Sequence, residues 1–173
     1  MAEPQEGDRE PEHSPVGRLC LDDFHVGQRF TSGTHVMDAA QIKAFARQFD
    51  PQPFHLDEEA ARNSVFQGLA ASGWHTAAIT MRLLVSGGPP FAAGSIGMGG
   101  EIEWPRPTRP TDVLHVESEI LEIIPSRSKP NQGIVRVRNI TLNQDGAKVQ
   151  VLIVKVLVFR RAAAAGKGSL GKI

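Results

Sequence analysis

The chain of 173 residues has an ordinary globular composition, with 40% hydrophobic and 22% charged residues, and its length suits one domain. Its 19 basic and 19 acidic side chains leave no formal net charge, so the basic excess that is usual in nucleic-acid-binding proteins is missing. Cys20 is the only cysteine, which excludes an intrachain disulfide and favours a reducing, cytoplasmic compartment.

The two ends of the chain differ in composition from the middle. Residues 1–18 hold four glutamates, three prolines and almost nothing apolar, which predicts a disordered tail without a role in catalysis. Residues 162–173 are rich in Ala, Gly and Lys and predict a flexible C-terminal tail. Residues 19–161 are expected to form a single domain. No signal peptide is recognisable, and the most apolar run, residues 149–159, is too short to cross a bilayer as a helix, so no membrane association is expected.

The first half of the domain is predicted to be mainly helical after one opening strand. Residues 29–37 alternate in polarity and predict that strand. Asp38 then stands where a helix N-cap is expected, and apolar residues follow it at helical spacing. Pro51 and Pro53 end this helix and predict an extended loop through His55.

A short helix and a longer one are predicted next. Asp57 is placed to cap a short helix that ends at Ala61. Ser72-Gly73 opens the longer helix, which runs to Ser86 and is stopped by two glycines and two prolines. Five residues at helical spacing are predicted to form its apolar side: Ala77, Ala78, Met81, Leu84 and Val85.

The second half of the domain predicts four strands in succession. They are residues 96–104, 113–124, 133–143 and 149–160. In the second strand one face is predicted to be covered, and it carries Leu114, Val116, Ser118 and Ile120. The last strand is apolar at nearly every position, which predicts a central strand covered on both faces, with a partner subunit as one candidate cover. The predicted fold class is α+β, with one long apolar helix against an antiparallel sheet.

The segment from Asp50 to His55 is the strongest candidate for chemistry. Its two prolines restrict the backbone between a carboxylate and an imidazole, so the two side chains are presented from a rigid segment. Both groups exchange protons near neutral pH, as acid–base work on a water molecule requires. The alternative interpretation is structural: Asp50 ends a helix and His55 packs beneath a loop.

A second candidate lies at Ser72-Gly73, where the long helix begins. The first backbone N–H groups of a helix have no internal partner, and the positive end of the helix dipole lies behind them. Such groups can hold a thioester carbonyl and stabilise the enolate-like oxygen that forms when water adds to the neighbouring double bond. The alternative is that Gly73 only permits close packing.

These segments resemble the MaoC-like hydratases and (R)-specific enoyl-CoA hydratases over residues 21–159. The family signature has an aromatic near a helix end, then Asp, any residue, Asn, Pro, an aliphatic, His, five residues and a small residue. Asp50, Pro53, His55 and Ala61 occupy these places in register. The ASGWHT segment resembles the helix start that carries the family's oxyanion glycine, and residues 107–114 resemble its P-x-x-P-G-D-x-L strand entry.

The resemblance implies a single hot-dog domain, in which a long central helix is wrapped by a curved antiparallel sheet, and a homodimer or dimer of dimers. It implies hydration of trans-2-enoyl thioesters, with Asp50 and His55 as the catalytic pair and Gly73 as the oxyanion group. Coenzyme A would enter only as part of the acyl-CoA substrate, and no further cofactor or metal is expected. Additional candidates for substrate contact are Pro53, Ser72 and His75, although packing or capping is the alternative for His75.

The chain departs from the family pattern at four places. Gln52 replaces the usual Asn, Phe49 a common Gly, and Thr111 the Gly of the strand entry. Met81 falls where the family has a small hydroxyl residue in the central helix, and the neighbouring Thr80 is the candidate substitute. These departures leave the acid–base pair intact and affect the shape of the substrate site.

Two other functions fit the same pattern. A hot-dog thioesterase normally carries its hydrolytic carboxylate on the central helix, whereas residues 73–86 contain no Asp or Glu. A non-catalytic acyl-thioester-binding subunit would bind without turnover. Four basic residues are candidates for the phosphates of coenzyme A, with ordinary solvated charge as the alternative: Arg106, Arg109, Arg127 and Lys129.

Overall fold

A computed structural model of the protein describes residues 17–161. Nearly all of both predicted tails, residues 1–16 and 162–173, lies outside the described residues. After a 3-10 turn at Leu21–Asp23, the elements are β1 (Arg29–Thr31), β2 (His35–Val36), α1 (Ala39–Phe49), α2 (Pro53–Leu56), α3 (Glu58–Arg62), α4 (Gly73–Gly87), β3 (Ile96–Glu103), β4 (Val113–Pro125), β5 (Gln132–Leu142) and β6 (Lys148–Phe159).

The predicted helix starts are confirmed by their capping hydrogen bonds. The Asp38 carboxylate accepts from the amide of Gln41 at the start of α1. Asp57 accepts from the amide of Ala60 at the start of α3. Each cap satisfies one of the amides that a helix start leaves without an internal partner.

Two local predictions are wrong. The strand predicted for residues 29–37 is divided into β1 and β2, both of which pair with β4. The extended loop predicted through His55 is instead the short helix α2, with Pro53 in its first position. Proline is tolerated there because the first helical N–H has no intrahelical partner to lose, and its fixed φ suits a helix.

The six strands form one antiparallel sheet with the path β1-β4-β5-β6-β3, and β2 pairs with β4 beside it. Strand β6 was predicted to be central, but β5 is the central strand and β6 lies between β5 and the edge strand β3. The predicted inward face of β4 is confirmed, since these four side chains are buried: Leu114, Val116, Ser118 and Ile120. Residues 151–154 of β6 stay partly exposed, so one chain alone does not cover both faces of that strand.

Helix α4 packs on the sheet with a different side from the one predicted. Ile79, Thr80 and Leu83 are buried, whereas Met81 and Val85 are exposed. Helical spacing alone does not identify which apolar side meets the sheet, because Thr80 is accommodated inside by a hydrogen bond to Thr141 at 2.7 Å. The exposed apolar side of α4 is therefore free for other contacts.

The core has two apolar clusters separated by polar side chains. One cluster lies beneath α1 and α4 and includes Ile42, Leu83 and Val149, and the other lies beneath the 3-10 turn. We use the term polar band for the buried side chains between them, which are Thr80, Ser118, Asn139, Thr141 and Gln150.

Among residues 17–161, no helix has the length and apolar character needed to span a bilayer.

Candidate active site

His55 is held in α2 with one ring nitrogen fixed. Its side chain is nearly inaccessible, with 4% of the residue exposed. The Nδ1 atom lies 2.7 Å from the carbonyl oxygen of Ala70. A carbonyl oxygen only accepts hydrogen bonds, so Nδ1 must carry the proton and donate it. In the neutral imidazole, Nε2 is then left with a lone pair that can accept a proton.

Asp50 faces that second nitrogen. It is the C-cap residue of α1, where its backbone amide donates to Ala46. Its Oδ2 lies 3.4 Å from Nε2 of His55, and its Oδ1 accepts a 2.7 Å hydrogen bond from the Gln52 side-chain amide. The end of α1 and the start of α2 therefore place a carboxylate oxygen and an imidazole nitrogen at one point.

The environment of Asp50 favours its ionised form. Partial burial acts to raise the pKa of the carboxyl. Hydrogen bonds from the Ser72 hydroxyl and the Gln52 amide, together with the imidazole of His55, outweigh this effect and bring the pKa of Asp50 below its ordinary value. At neutral pH the pair consequently offers a carboxylate acceptor next to an imidazole.

The start of α4 completes this corner of the molecule. The side-chain oxygen of Ser72 accepts a hydrogen bond from the amide of Trp74. The hydroxyl of Ser72 donates toward the Asp50 carboxylate and so contributes to the lowered pKa of Asp50. Within the described part of the chain, the Gly73 amide has no hydrogen-bond partner. A methyl group at Gly73 would lie 2.8 Å from the Trp104 indole, so this glycine also permits close packing. Both interpretations of Gly73 therefore have a structural basis.

The other two candidate contacts, Pro53 and His75, lie in different surroundings. Pro53 is exposed at the start of α2. His75 is 5% exposed and stacks on Phe45, with ring centroids 4.7 Å apart and planes 8° from parallel. Its Nδ1 is buried without a partner among the described residues. Burial, followed by the charge of His35, lowers the pKa of His75 despite the opposing effect of Asp38.

Two contributors to the site were not predicted. Gln52 was noted only as a departure from the family's Asn, but its amide holds Asp50. Ala70 fixes the tautomer of His55 through its backbone carbonyl. A side-chain amide at position 52 was a detectable signal, since Asn and Gln share the same donor group. No sequence signal identifies a backbone carbonyl 15 residues away.

Two further expectations are corrected by the contacts. Thr80 does not substitute for the family's hydroxyl residue, because its side chain is buried against Thr141. Arg109 is occupied in holding a loop, since its guanidinium donates to the carbonyls of Phe66, Gly68 and Leu69. Within residues 17–161, no group of three or more potential metal ligands is found.

Comparison with known proteins matches this chain to one protein family and to several solved structures of similar fold. The model of the MaoC-like domain matches residues 23–143. The uncharacterized protein YdeM of Bacillus subtilis is 36% identical over 145 residues, which cover 82% of this chain and 100% of YdeM.

Solved structures agree with that match. A MaoC-like dehydratase from Rhodospirillum rubrum is 62% identical with a TM-score of 0.83, and the match covers 84% of this chain and 99% of that one. The R-hydratase PhaJ1 from Pseudomonas aeruginosa is 26% identical with a TM-score of 0.68, over 83% and 88% of the two chains. The likeness confirms the predicted α+β hot-dog fold.

Proposed function

Because the chain belongs to the MaoC-like domain family, which indicates hydro-lyase chemistry, we propose that it catalyses the reversible hydration of trans-2-enoyl thioesters to 3-hydroxyacyl thioesters. The observation that carries this proposal is the pairing of His55 Nε2 with Asp50 Oδ2 at 3.4 Å, with Nδ1 tied to Ala70. Two proton acceptors at one point suit the activation of a single water molecule.

In the proposed reaction both residues bind the same water. His55 Nε2 accepts one water proton as the oxygen attacks the β-carbon, and the Asp50 carboxylate accepts a hydrogen bond from the second. The proton taken by Nε2 then passes to the α-carbon, so that water has added across the double bond. The Asp50 carboxylate stabilises the imidazolium that exists between the two transfers. The low pKa of Asp50 supports this role because it keeps the carboxylate ionised.

The thioester carbonyl is assigned to the start of α4. Its oxygen gains negative charge as the β-carbon is attacked, and the Gly73 amide is an unpaired donor at the positive end of a helix of 15 residues. The Trp104 indole against Gly73 supplies an apolar wall at this position. Exclusion of water strengthens the hydrogen bond to the developing oxyanion.

The proposed substrate is a coenzyme A ester, and the proposed assembly is a homodimer or a dimer of dimers in the cytoplasm. An exposed apolar surface supports the assembly. It comprises Trp74, Met81 and Val85 of α4 with Ile96, Met98 and Trp104 at β3. Strand β3 pairs with β6 on one side only, so its other edge has free backbone groups among the described residues. A stable monomer in sedimentation at micromolar concentration would contradict this assembly.

The function is tested by following the absorbance of the enoyl-thioester chromophore with crotonyl-CoA, longer-chain enoyl-CoAs and dicarboxylic enoyl-CoAs. Hydration predicts loss of the chromophore without release of free coenzyme A thiol. Thiol release without hydration would identify a thioesterase instead. Calorimetric binding of these esters without any turnover would identify a binding subunit and overturn the proposal.

A further inference from the structure

A cavity of 470 Å³ lies on the inner face of the sheet, beside the C-terminal half of α4. Its walls are mainly apolar and include Met81, Leu84, Phe91, Leu152 and Val154. The volume falls within the range of small-molecule sites, which combine apolar walls with a few placed polar groups. This cavity does not include Asp50, His55 or Gly73.

Asn139 supplies a polar group in this apolar cavity. The residue is 2% exposed and lines the cavity. Its Oδ1 accepts a 2.7 Å hydrogen bond from the hydroxyl of Ser118, which fixes the amide plane. Within residues 17–161, the Nδ2 group has no acceptor. Among residues 17–161, the fully buried side-chain atoms without a hydrogen-bond partner are His75 Nδ1 and Gln150 Nε2, so the Nδ2 group of Asn139 is accessible from the cavity and can donate to a ligand oxygen there.

The polar band lies between this cavity and the candidate active site. In the β5–β6 register, Asn139 lies opposite Leu152, and Thr141 lies opposite Gln150 in the adjacent row. The Gln150 side chain accepts a 2.9 Å hydrogen bond from the Trp104 indole, which in turn lies against Gly73. Same-face rows of a strand are roughly 7 Å apart, so the cavity is one row beyond the Gln150–Trp104 pair.

Helix α4 gives an independent measure of the separation. Gly73 and Met81 are eight residues apart on this helix, which corresponds to about 12 Å along its axis. An acyl chain of medium length, with its carbonyl at Gly73, spans that distance. The cavity is thus placed to receive the far end of such a chain and not its reacting end.

We infer that the protein selects enoyl thioesters whose far end carries a carbonyl or carboxylate oxygen, with the Nδ2 group of Asn139 donating to that oxygen. This inference rests on the proposed hydratase function and specifies its substrate class. A purely aliphatic chain would fill the apolar walls but leave the amide unpaired. A site built to form a hydrogen bond discriminates strongly against an analogue that lacks the bonding atom. Arg18, which also lines the cavity, adds a positive charge that favours a carboxylate.

The test compares kcat/KM for trans-2-enoyl-CoA esters of matched length that end in a methyl group, a methyl ketone or a carboxylate. We expect the wild type to prefer the two oxygenated esters over the methyl-ended ester by roughly tenfold or more. In the double variant Ser118→Ala/Asn139→Leu, that preference should fall to about twofold or less, with hydration of the methyl-ended ester retained. Replacing both partners with apolar groups avoids leaving either one buried and unpaired.

The matched control is Thr80→Val/Thr141→Val, which removes another hydrogen-bonded pair of the polar band that does not line the cavity. This control should keep the wild-type preference. A wild-type preference for the methyl-ended ester, or an unchanged preference in Ser118→Ala/Asn139→Leu, would overturn the inference. A further variant distinguishes a terminal carboxylate from a terminal ketone. Arg18→Gln should weaken selection of the carboxylate and leave selection of the ketone intact.

Calorimetry with the corresponding saturated acyl-CoA esters makes the result independent of turnover. If these esters bind with the expected preference and no enoyl ester is hydrated, the proposed function fails while the cavity assignment stands. If hydration proceeds and neither method shows a preference for the oxygenated chain end, the proposed function stands and this inference fails.

Discussion

His55 and His75 have almost the same exposure, 4% and 5%, but they differ in what their rings contact. Both nitrogens of His55 face oxygen atoms, those of the Ala70 carbonyl and the Asp50 carboxylate. His75 lies flat against Phe45, and its Nδ1 is buried without a partner among the described residues. Burial does not distinguish a histidine suited to acid–base chemistry from one suited to packing. The two kinds of histidine are distinguished by the groups that face the ring nitrogens.

The difference extends to protonation. A buried imidazole without an acceptor resists protonation because the charged form loses its hydration, and this lowers the pKa of His75. At His55 the Nε2 atom instead lies 3.4 Å from the Asp50 carboxylate. Substitutions at the two histidines should therefore change different measured quantities, namely the rate at one site and the pH dependence of stability at the other.

The largest expected effect is on the rate after substitution of the catalytic pair. His55→Gln and Asp50→Asn should each lower kcat by roughly 10²–10⁴, the usual contribution of general acid–base groups. Asn at position 50 can still accept from Gln52, and melting temperatures on the same samples show whether each variant folds. The matched variant His75→Phe, which preserves stacking on Phe45, should keep most of the wild-type rate. Normal turnover in a folded Asp50→Asn protein would contradict the proposed role of Asp50.

Gly73→Ala separates the two roles that Gly73 can have, close packing and binding of the thioester carbonyl. The added methyl group would lie 2.8 Å from Trp104, whose indole is held by Gln150, so we expect a loss of about 1–3 kcal/mol in the free energy of unfolding. The backbone amide that is proposed to bind the carbonyl remains, so the rate per folded molecule should fall by a smaller factor than the equilibrium constant for folding.

Gly33→Ala is the control for that substitution, because no atom lies within 4 Å of its added Cβ and the position is exposed. Urea denaturation and turnover measured together decide the result. If Gly73→Ala unfolds at the wild-type urea midpoint, the close contact with Trp104 has no energetic consequence and only the oxyanion role remains.

The pH dependence of stability should identify His75. Its folded-state pKa lies below the ordinary value of 6.5, so the unfolded chain takes up a proton first as the pH falls. The stability present above pH 6.5 is consequently lost as the pH decreases below it. His75→Phe should flatten this decline, whereas His25→Gln, at an exposed position, should not. Melting temperatures between pH 5 and 8 that decline equally in all three proteins would contradict the assignment.

The smallest expected effect lies away from both histidines, at Thr111. This residue has φ of 74°, a left-handed conformation that is unfavourable for a β-branched side chain. Thr111→Gly should raise the free energy of unfolding by about 1 kcal/mol, since relief of strain exceeds the entropy cost of glycine. Turnover should be unchanged, which would show that stability and rate vary independently here. A destabilised Thr111→Gly protein would be the contrary result.

Local signals explain what the sequence could predict. The carboxylates of Asp38 and Asp57 mark helix starts, and alternation in β4 identifies its buried face, because each depends on neighbours in the chain. The two prolines only made Asp50 and His55 candidates, and the resemblance to the family signature favoured the catalytic interpretation over the structural one. The Thr111 departure also had a meaning, since the glycine usual there suits a positive φ.

Long-range contacts explain what could not be predicted. The exposed side of α4 was mistaken for its packed side because Thr80 is satisfied by Thr141, which lies 61 residues away. The tautomer of His55 depends on the carbonyl of Ala70, and every residue has such a carbonyl. The cavity at Asn139 arises only when β5, β6 and α4 come together.

The claim that Asp50 and His55 act on one water is tested most directly by the double variant Asp50→Asn/His55→Gln. Its kcat with an enoyl-CoA substrate is compared with those of both single variants, and melting temperatures on the same samples confirm folding. Residues that work as a unit are strongly non-additive, so the double variant should be little slower than the slower single variant. A double variant whose rate loss equals the product of the two single losses would show that the residues act independently and would contradict this mechanism.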